Sequence, residues 1–228
     1  MEDENGKILT KWWGGKLQFT VFHVCYSVLF SSNPTNRFSM LKNVMLCGVG
    51  GQGILFAAKI IAAAAELSGY DVTTNELHGM AQRGGSVTAQ VRFGEGFHSP
   101  LFREGEADVL CALEPVEGLR CAHWLKADGK AAVSKQRLIP VTVSTGRASY
   151  PADLDERLSR SFSDLKYIDC CAIALKLGDL RLANTVMVGA LSSWLELPES
   201  SWRAAVERSV KSGMVENNMA ALKAGQEA

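Results

Sequence analysis

Nothing in this chain reads as a metal cage or a disulfide framework. Its six cysteines, Cys25, Cys47, Cys111, Cys121, Cys170 and Cys171, include no C-x-x-C spacing. That excludes the usual thiolate patterns for zinc, and for an iron–sulfur cluster held by this chain alone. The four histidines are scattered and add no metal spacing, so no metal site is expected. Several cysteines fall within apolar, strand-like runs and read as reduced, buried thiols of a cytoplasmic protein. No apolar run is long enough to span a bilayer, which takes about 20 residues; the stretch from Phe19 to Phe30 falls well short. Net charge is missing too, with 24 Lys+Arg against 24 Asp+Glu. No overall field draws in nucleic acid or an anionic membrane, and neither is expected as a partner. Repeats and low-complexity tracts are absent, and no Ser or Cys stands beside a base as an activated nucleophile.

A chain of 228 residues suits one domain, or one domain with an appendage. Residues 1–39 do not match the rest. They open polar, and the acids Asp3 and Glu4 spoil the n-region of a signal peptide, with no A-x-A site after Phe30. They are expected to form a poorly structured N-terminal extension, with an interaction arm or a targeting segment as the alternatives. Met40 opens the folded domain, residues 40–228.

The domain is organised around the stretch from Asn43 to Ser86. Asn43 to Cys47 is a short apolar run of the buried-strand kind, and Ile54 to Ser68 is alanine-rich and helical. Between them lie Gly48, Gly50, Gly51, Gln52 and Gly53, a G-x-G-x-x-G pattern with an additional glycine. Such a turn aims helix-start N–H groups at one point and favours an anion there. It fits a dinucleotide, a phosphate or carboxylate ligand, or a purely structural tight turn. The acid that usually binds a ribose lies about 20 residues on, whereas Glu76 ends the second strand at a longer spacing. A second loop then gathers Glu76, His78, Gln82, Arg83, Gly84, Gly85 and Ser86. An arginine flanked by glycines suits bidentate binding of carboxylate or phosphate. The loop is expected at the carboxyl ends of the strands, where it orients a partner's ligand, carries chemistry itself, or satisfies its own polar groups.

The remaining pattern alternates strand and helix. Ser86 to Phe93 alternates apolar with polar residues, giving a strand with one wet face, and Gly94-Glu95-Gly96 suggests a hairpin into Phe97 to Ser99. Ala107 to Leu113 is a strand. Glu114-Pro115 opens a helix over Val116 to Leu125, Asp128-Gly129 turns into a strand over Ala131 to Ser134, and Val141 to Ser144 is a further strand. A short helix over Asp153 to Phe162 precedes a last strand over Leu165 to Cys170. Helices follow over Thr185 to Leu195 with Asn184 as cap, over Glu199 to Val210 behind Pro198, and over Val215 to Ala224 with Gly225 behind it. The expected class is α/β: a Rossmann-like, mostly parallel sheet with helices on both faces, a β-hairpin insertion and a helical C-terminal third.

Taken together, GVGGQG, ELHGMAQRGGSV, SPLF, EGEADVL, LEP and LANTVMVGALS resemble the gamma domain of the 2-oxoacid:ferredoxin oxidoreductases, nearest to its indolepyruvate branch. The likeness runs in order from about Leu41 to Gly225. It implies a subunit of a complex that decarboxylates an aryl 2-oxoacid, releases acyl-CoA and CO2, and reduces ferredoxin. It further implies that thiamine diphosphate and iron–sulfur clusters sit on a large partner subunit, that coenzyme A is a co-substrate, and that this chain alone binds no cofactor. The two glycine loops are then placed at the mouth of the active site or against the CoA phosphates. An independent NAD(P)-binding enzyme and a non-catalytic scaffold subunit are the competing readings.

Overall fold

A computed structural model describes residues 40–78, 84–139, 141–147 and 149–228. The expectations for residues 1–39 and for Gln82 and Arg83 lie outside the described residues. The elements are β1 (Leu41–Val49), α1 (Ile54–Leu67), β2 (Asp71–His78), β3 (Ser86–Gly94), β4 (Ala107–Ala112), α2 (Pro115–Cys121), β5 (Leu125–Ser134), α3 (Val141–Ser144), α4 (Leu154–Ser161), β6 (Asp164–Ile168), α5 (Cys170–Lys176), α6 (Ala183–Ser192), α7 (Glu199–Ser209) and α8 (Val215–Gln226). They build one six-stranded sheet in the order β2-β3-β1-β4-β5-β6. Strands β1, β4, β5 and β6 run parallel, and β3 is antiparallel to both neighbours, β1 and β2.

The sheet has a core on each face because β1 is apolar at successive positions. Val44 and Leu46 join α1, α6, Trp202 of α7 and Leu222 of α8. Met45 and Cys47 point the other way and join Cys121 of α2 with Leu154 and Leu158 of α4. A strand buried on both faces reads as a continuous hydrophobic run, and β1 and β4 do. The alanines of α1 favour helix and let it lie close to β3, while Gly69, at φ 81°, ends it with left-handed backbone.

Several boundaries differ from the sequence pattern. Residues 97–99 form no strand; the segment after Gly94 is irregular, held where Arg92 Nη1 donates to Ser99 O and Leu101 O. The polar face of β3 is consequently covered at Gln90, whose Oε1 accepts from Phe102 N, while Ser86, Thr88 and Arg92 stay half-buried. Val141–Ser144 is a helical turn despite two valines and a threonine, since a four-residue run is too short for propensity to decide. Leu125 opens β5 instead of closing α2, and β5 runs through the Asp128-Gly129 pair by means of a register shift against β4. Cys170 starts α5, capped by Asp169 through Ala172 N. Asn184 lies inside α6, and Gly225 lies inside α8.

The five described cysteines are free thiols, four of them buried. Burial pushes the Cys170 thiol up to about 12 and raises that of Cys111. An unfolded thiol ionises near about 8.5. Above that pH the unfolded chain releases protons that the folded chain keeps, so this stability is complete below about 8.5 and falls as pH rises toward about 12. The loss approaches about 1.4 kcal/mol per pH unit for each such thiol. Urea midpoints measured from pH 8 to 11 should therefore decline, and Cys170→Ala should flatten the decline; an unaltered slope would remove Cys170 as a contributor.

Candidate functional site at the carboxyl edge of the sheet

Strand β1 delivers the chain to α1 on one face, and its parallel neighbour β4 delivers it to α2 on the other. This is a topological switch point, where open α/β sheets leave a crevice at the carboxyl ends. The glycine turn fills that position. Gly51 and Gly53 have φ of 107° and 85°, a backbone that L side chains rarely adopt. A Cβ on Gly53 would also overlap the Asn184 amide nitrogen, so the αL start of α1 is fitted against the first turn of α6.

Gln52 shapes the inside of the turn. Its Oε1 accepts from Val49 N at 2.8 Å, and its Nε2 donates to Leu113 O at 2.7 Å and to Gln136 Oε1 at 2.9 Å. A Cβ on Gly48 would stand 2.8 Å from Gln52 Oε1, so glycine there makes room for the amide. One side chain thus joins the ends of β1, β4 and β5. The donors at Val49, Gly50 and Gln52 are satisfied within the protein, and the first turn of α1, which has no side-chain cap, holds the N–H groups that such a turn offers an anion.

The second glycine loop returns to the same place. Gly50 N donates to Gly85 O at 2.8 Å and Gly84 N to Gly50 O at 3.1 Å, prolonging the β1–β3 ladder beyond Val49↔Ser86. Ser86 Oγ donates to Glu117 Oε2 at 2.5 Å, and Arg120 Nη1 donates to Glu117 Oε1 at 2.9 Å. Glu114 is 2% exposed; it accepts from Glu117 N at 2.9 Å as the cap of α2 and from Tyr150 OH at 2.6 Å. Burial and the Glu114 contact both raise the Tyr150 phenol, which stays protonated as the donor.

The structure therefore brings Gly48, Gly50, Gly51, Gln52, Gly53, Gly84, Gly85 and Ser86 together. Glu76 is exposed and aligned with Ala89 and Leu46. Because β3 lies between β2 and β1, Glu76 is two strand spacings from β1, about 10 Å. A ribose-binding acid belongs on the strand beside β1, so the dinucleotide geometry is not formed. His78 is the last residue of β2, opposite Val87. The sequence pattern places Glu114 at a helix start. It is a helix start, but a buried one, and together with Glu117, Tyr150 and Gln136 it forms the polar support of the site. The E-P-x-E spacing signals the cap; nothing local signals the burial.

Residues 43–228 match the pyruvate ferredoxin/flavodoxin oxidoreductase family. The chain is 40% identical over 191 residues to the indolepyruvate oxidoreductase subunit IorB of Archaeoglobus fulgidus, covering 82% of this chain and 94% of that protein. It is 32% identical over 147 residues to the common gamma subunit of the pyruvate/ketoisovalerate oxidoreductases of Pyrococcus abyssi, covering 64% and 73%. Among solved structures, the gamma subunit of a keto/oxoacid ferredoxin oxidoreductase from Geobacter sulfurreducens superposes with a TM-score of 0.60 at 23% identity, over 82% of this chain and 96% of that one. The nearly complete coverage of the indolepyruvate subunits, together with the shared sheet, places this chain in the pyruvate ferredoxin/flavodoxin oxidoreductase family.

Proposed function

We propose that this chain is the small subunit of an indolepyruvate-type 2-oxoacid:ferredoxin oxidoreductase. It would work with a large cytoplasmic partner that binds thiamine diphosphate and iron–sulfur clusters. The complex would convert an aryl 2-oxoacid to acyl-CoA and CO2 and pass the electrons to ferredoxin. The observation that carries this reading is the 40% identity to a curated indolepyruvate subunit over 94% of its length. Thiamine diphosphate supplies the decarboxylation chemistry when bound in the partner. The contribution of this chain is positional: the paired glycine loops present a narrow, backbone-rich edge at the switch point, which Gln52, Glu114 and Glu117 hold rigid from behind. Among the described residues no helix is long and apolar enough to cross a membrane.

In this reading the loop carrying His78, Gln82 and Arg83 meets the partner at the mouth of its active site, with Arg83 and the first turn of α1 facing CoA phosphates. The test is to purify the chain with and without the large subunit and to follow 2-oxoacid- and CoA-dependent reduction of a viologen dye. Activity only in the mixture supports the proposal; activity or tight nucleotide binding by the chain alone overturns it. Losing a charge-assisted contact of about 1.5–3 kcal/mol should raise the CoA KM of an Arg83→Ala complex roughly 10- to 100-fold. An unchanged KM in a normally assembled complex would remove Arg83 from the site.

A further inference from the structure

We propose that a short chain of internal water lies beneath the 95–106 segment, enclosed by Thr73, Arg92 and Asn43. These residues form one row across three strands, since Arg92 is the register partner of Thr73 on β2 and of Asn43 on β1. Directly opposed residues in antiparallel pairs share a sheet face, and this face is the one turned away from α1. Each member of the row has a buried polar atom without a protein partner: Thr73 Oγ1, Arg92 Nε and Asn43 Oδ1. Asn43 is only 4% exposed. Three neighbouring orphans are unusual, because a buried polar atom left dry loses its bonds to water and gains none in return.

Their other contacts fix which atoms stay open. Asn43 Nδ2 donates to Glu106 O at 2.8 Å, so its oxygen is the free end of the amide. Arg92 uses Nη1 on Ser99 O and Leu101 O and lies over the Phe97 ring, which leaves the buried Nε–H as its open donor. The open set is therefore one donor, one acceptor and one hydroxyl that can be either. An anion would be repelled by the Asn43 oxygen and a cation by the guanidinium. Water satisfies all three, and buried waters typically make about three such bonds. The same segment is anchored by polar contacts at Gln90, Arg92 and Asn43, so the water would complete its seal on the sheet.

The test is oxygen-17 relaxation dispersion of water on the full chain, which counts long-lived internal molecules, for wild type and Thr73→Val. A count that falls by at least one in the variant is the expected result, with a melting temperature about 2–4 °C lower for the lost bridge. An unchanged count with a raised melting temperature would overturn the proposal, because removing a dry, unsatisfied hydroxyl relieves the structure. A high-resolution crystal structure of the full chain decides independently: ordered density between the three atoms supports the water, and an empty gap overturns it.

Discussion

Replacing Gly225 by alanine should destabilise the chain by about 3 kcal/mol and lower its melting temperature by about 6–12 °C. Helix propensity alone predicts the opposite sign, since alanine is favoured over glycine in a helix interior by about 1 kcal/mol. The contact decides. A Cβ on Gly225 would overlap the Val186 carbonyl oxygen and stand 2.8 Å from its carbon, and one on Gly189 would do the same to Leu222. These are backbone atoms of facing helices and cannot turn aside as a side chain can. Gly189→Ala should therefore cost a similar amount. The double variant should cost less than the sum, because the first methyl already forces α6 and α8 apart. Calorimetric melting of the two single variants and the double checks all three statements; a stabilised Gly225→Ala would mean that the helices are not in backbone contact.

The second large effect is expected at Gln52. Gln52→Leu keeps the volume but leaves Val49 N, Leu113 O and Gln136 Oε1 without the amide that joins them. Losing those contacts in a part-buried site should cost roughly 2–4 kcal/mol. Gln52→Glu separates chemistry from shape. An ionised carboxylate still accepts from Val49 N but faces two oxygens, whereas a protonated one can again donate to one of them. Gln52→Glu should therefore be unstable at neutral pH and regain stability relative to wild type as pH falls toward 5. Urea titrations at the two pH values check it, and a pH-independent deficit would show that the donor role of Nε2 is not what holds the turn.

The sequence made legible whatever depends on local pattern. The glycine turn, α1, β1, β4 and the Pro198 start of α7 follow from hydrophobic run length, alanine content and imino-acid geometry. Three of the misses share a cause, in that each depends on a partner far along the chain. Gly225 looks like a helix terminator until α6 is seen lying against it. Asn184 looks like a cap until Gly53 is found beside it. Phe97 to Ser99 looks like the return arm of a hairpin, but β3 already has β1 and β2 on its two edges and has none to offer. At the site, the glycines and Ser86 come together through ladder contacts that the pattern suggests. The buried support from Gln52, Glu114, Glu117 and Tyr150 converges from separate segments and leaves no periodic trace.

The antiparallel insertion of β3 also bears on the order in which the protein can assemble. Strands β1, β2 and β3 pair with one another entirely between Leu41 and Gly94, so half of the sheet is encoded ahead of the other half. Within that half the β2–β3 pairing joins adjacent strands, His78 opposite Val87, and such local pairing carries a small entropic cost and forms early. The parallel strands β4 to β6 lie later in the chain, and helices α6 to α8 arrive last from the ribosome. A nascent chain can thus complete the three-stranded half, with the glycine turn already tied to Gly84 and Gly85 and α1 laid over β3, before the helices that cover α1 have been synthesised. Until then the side of α1 that α6 and α7 cover in the finished fold is the surface most in need of a chaperone.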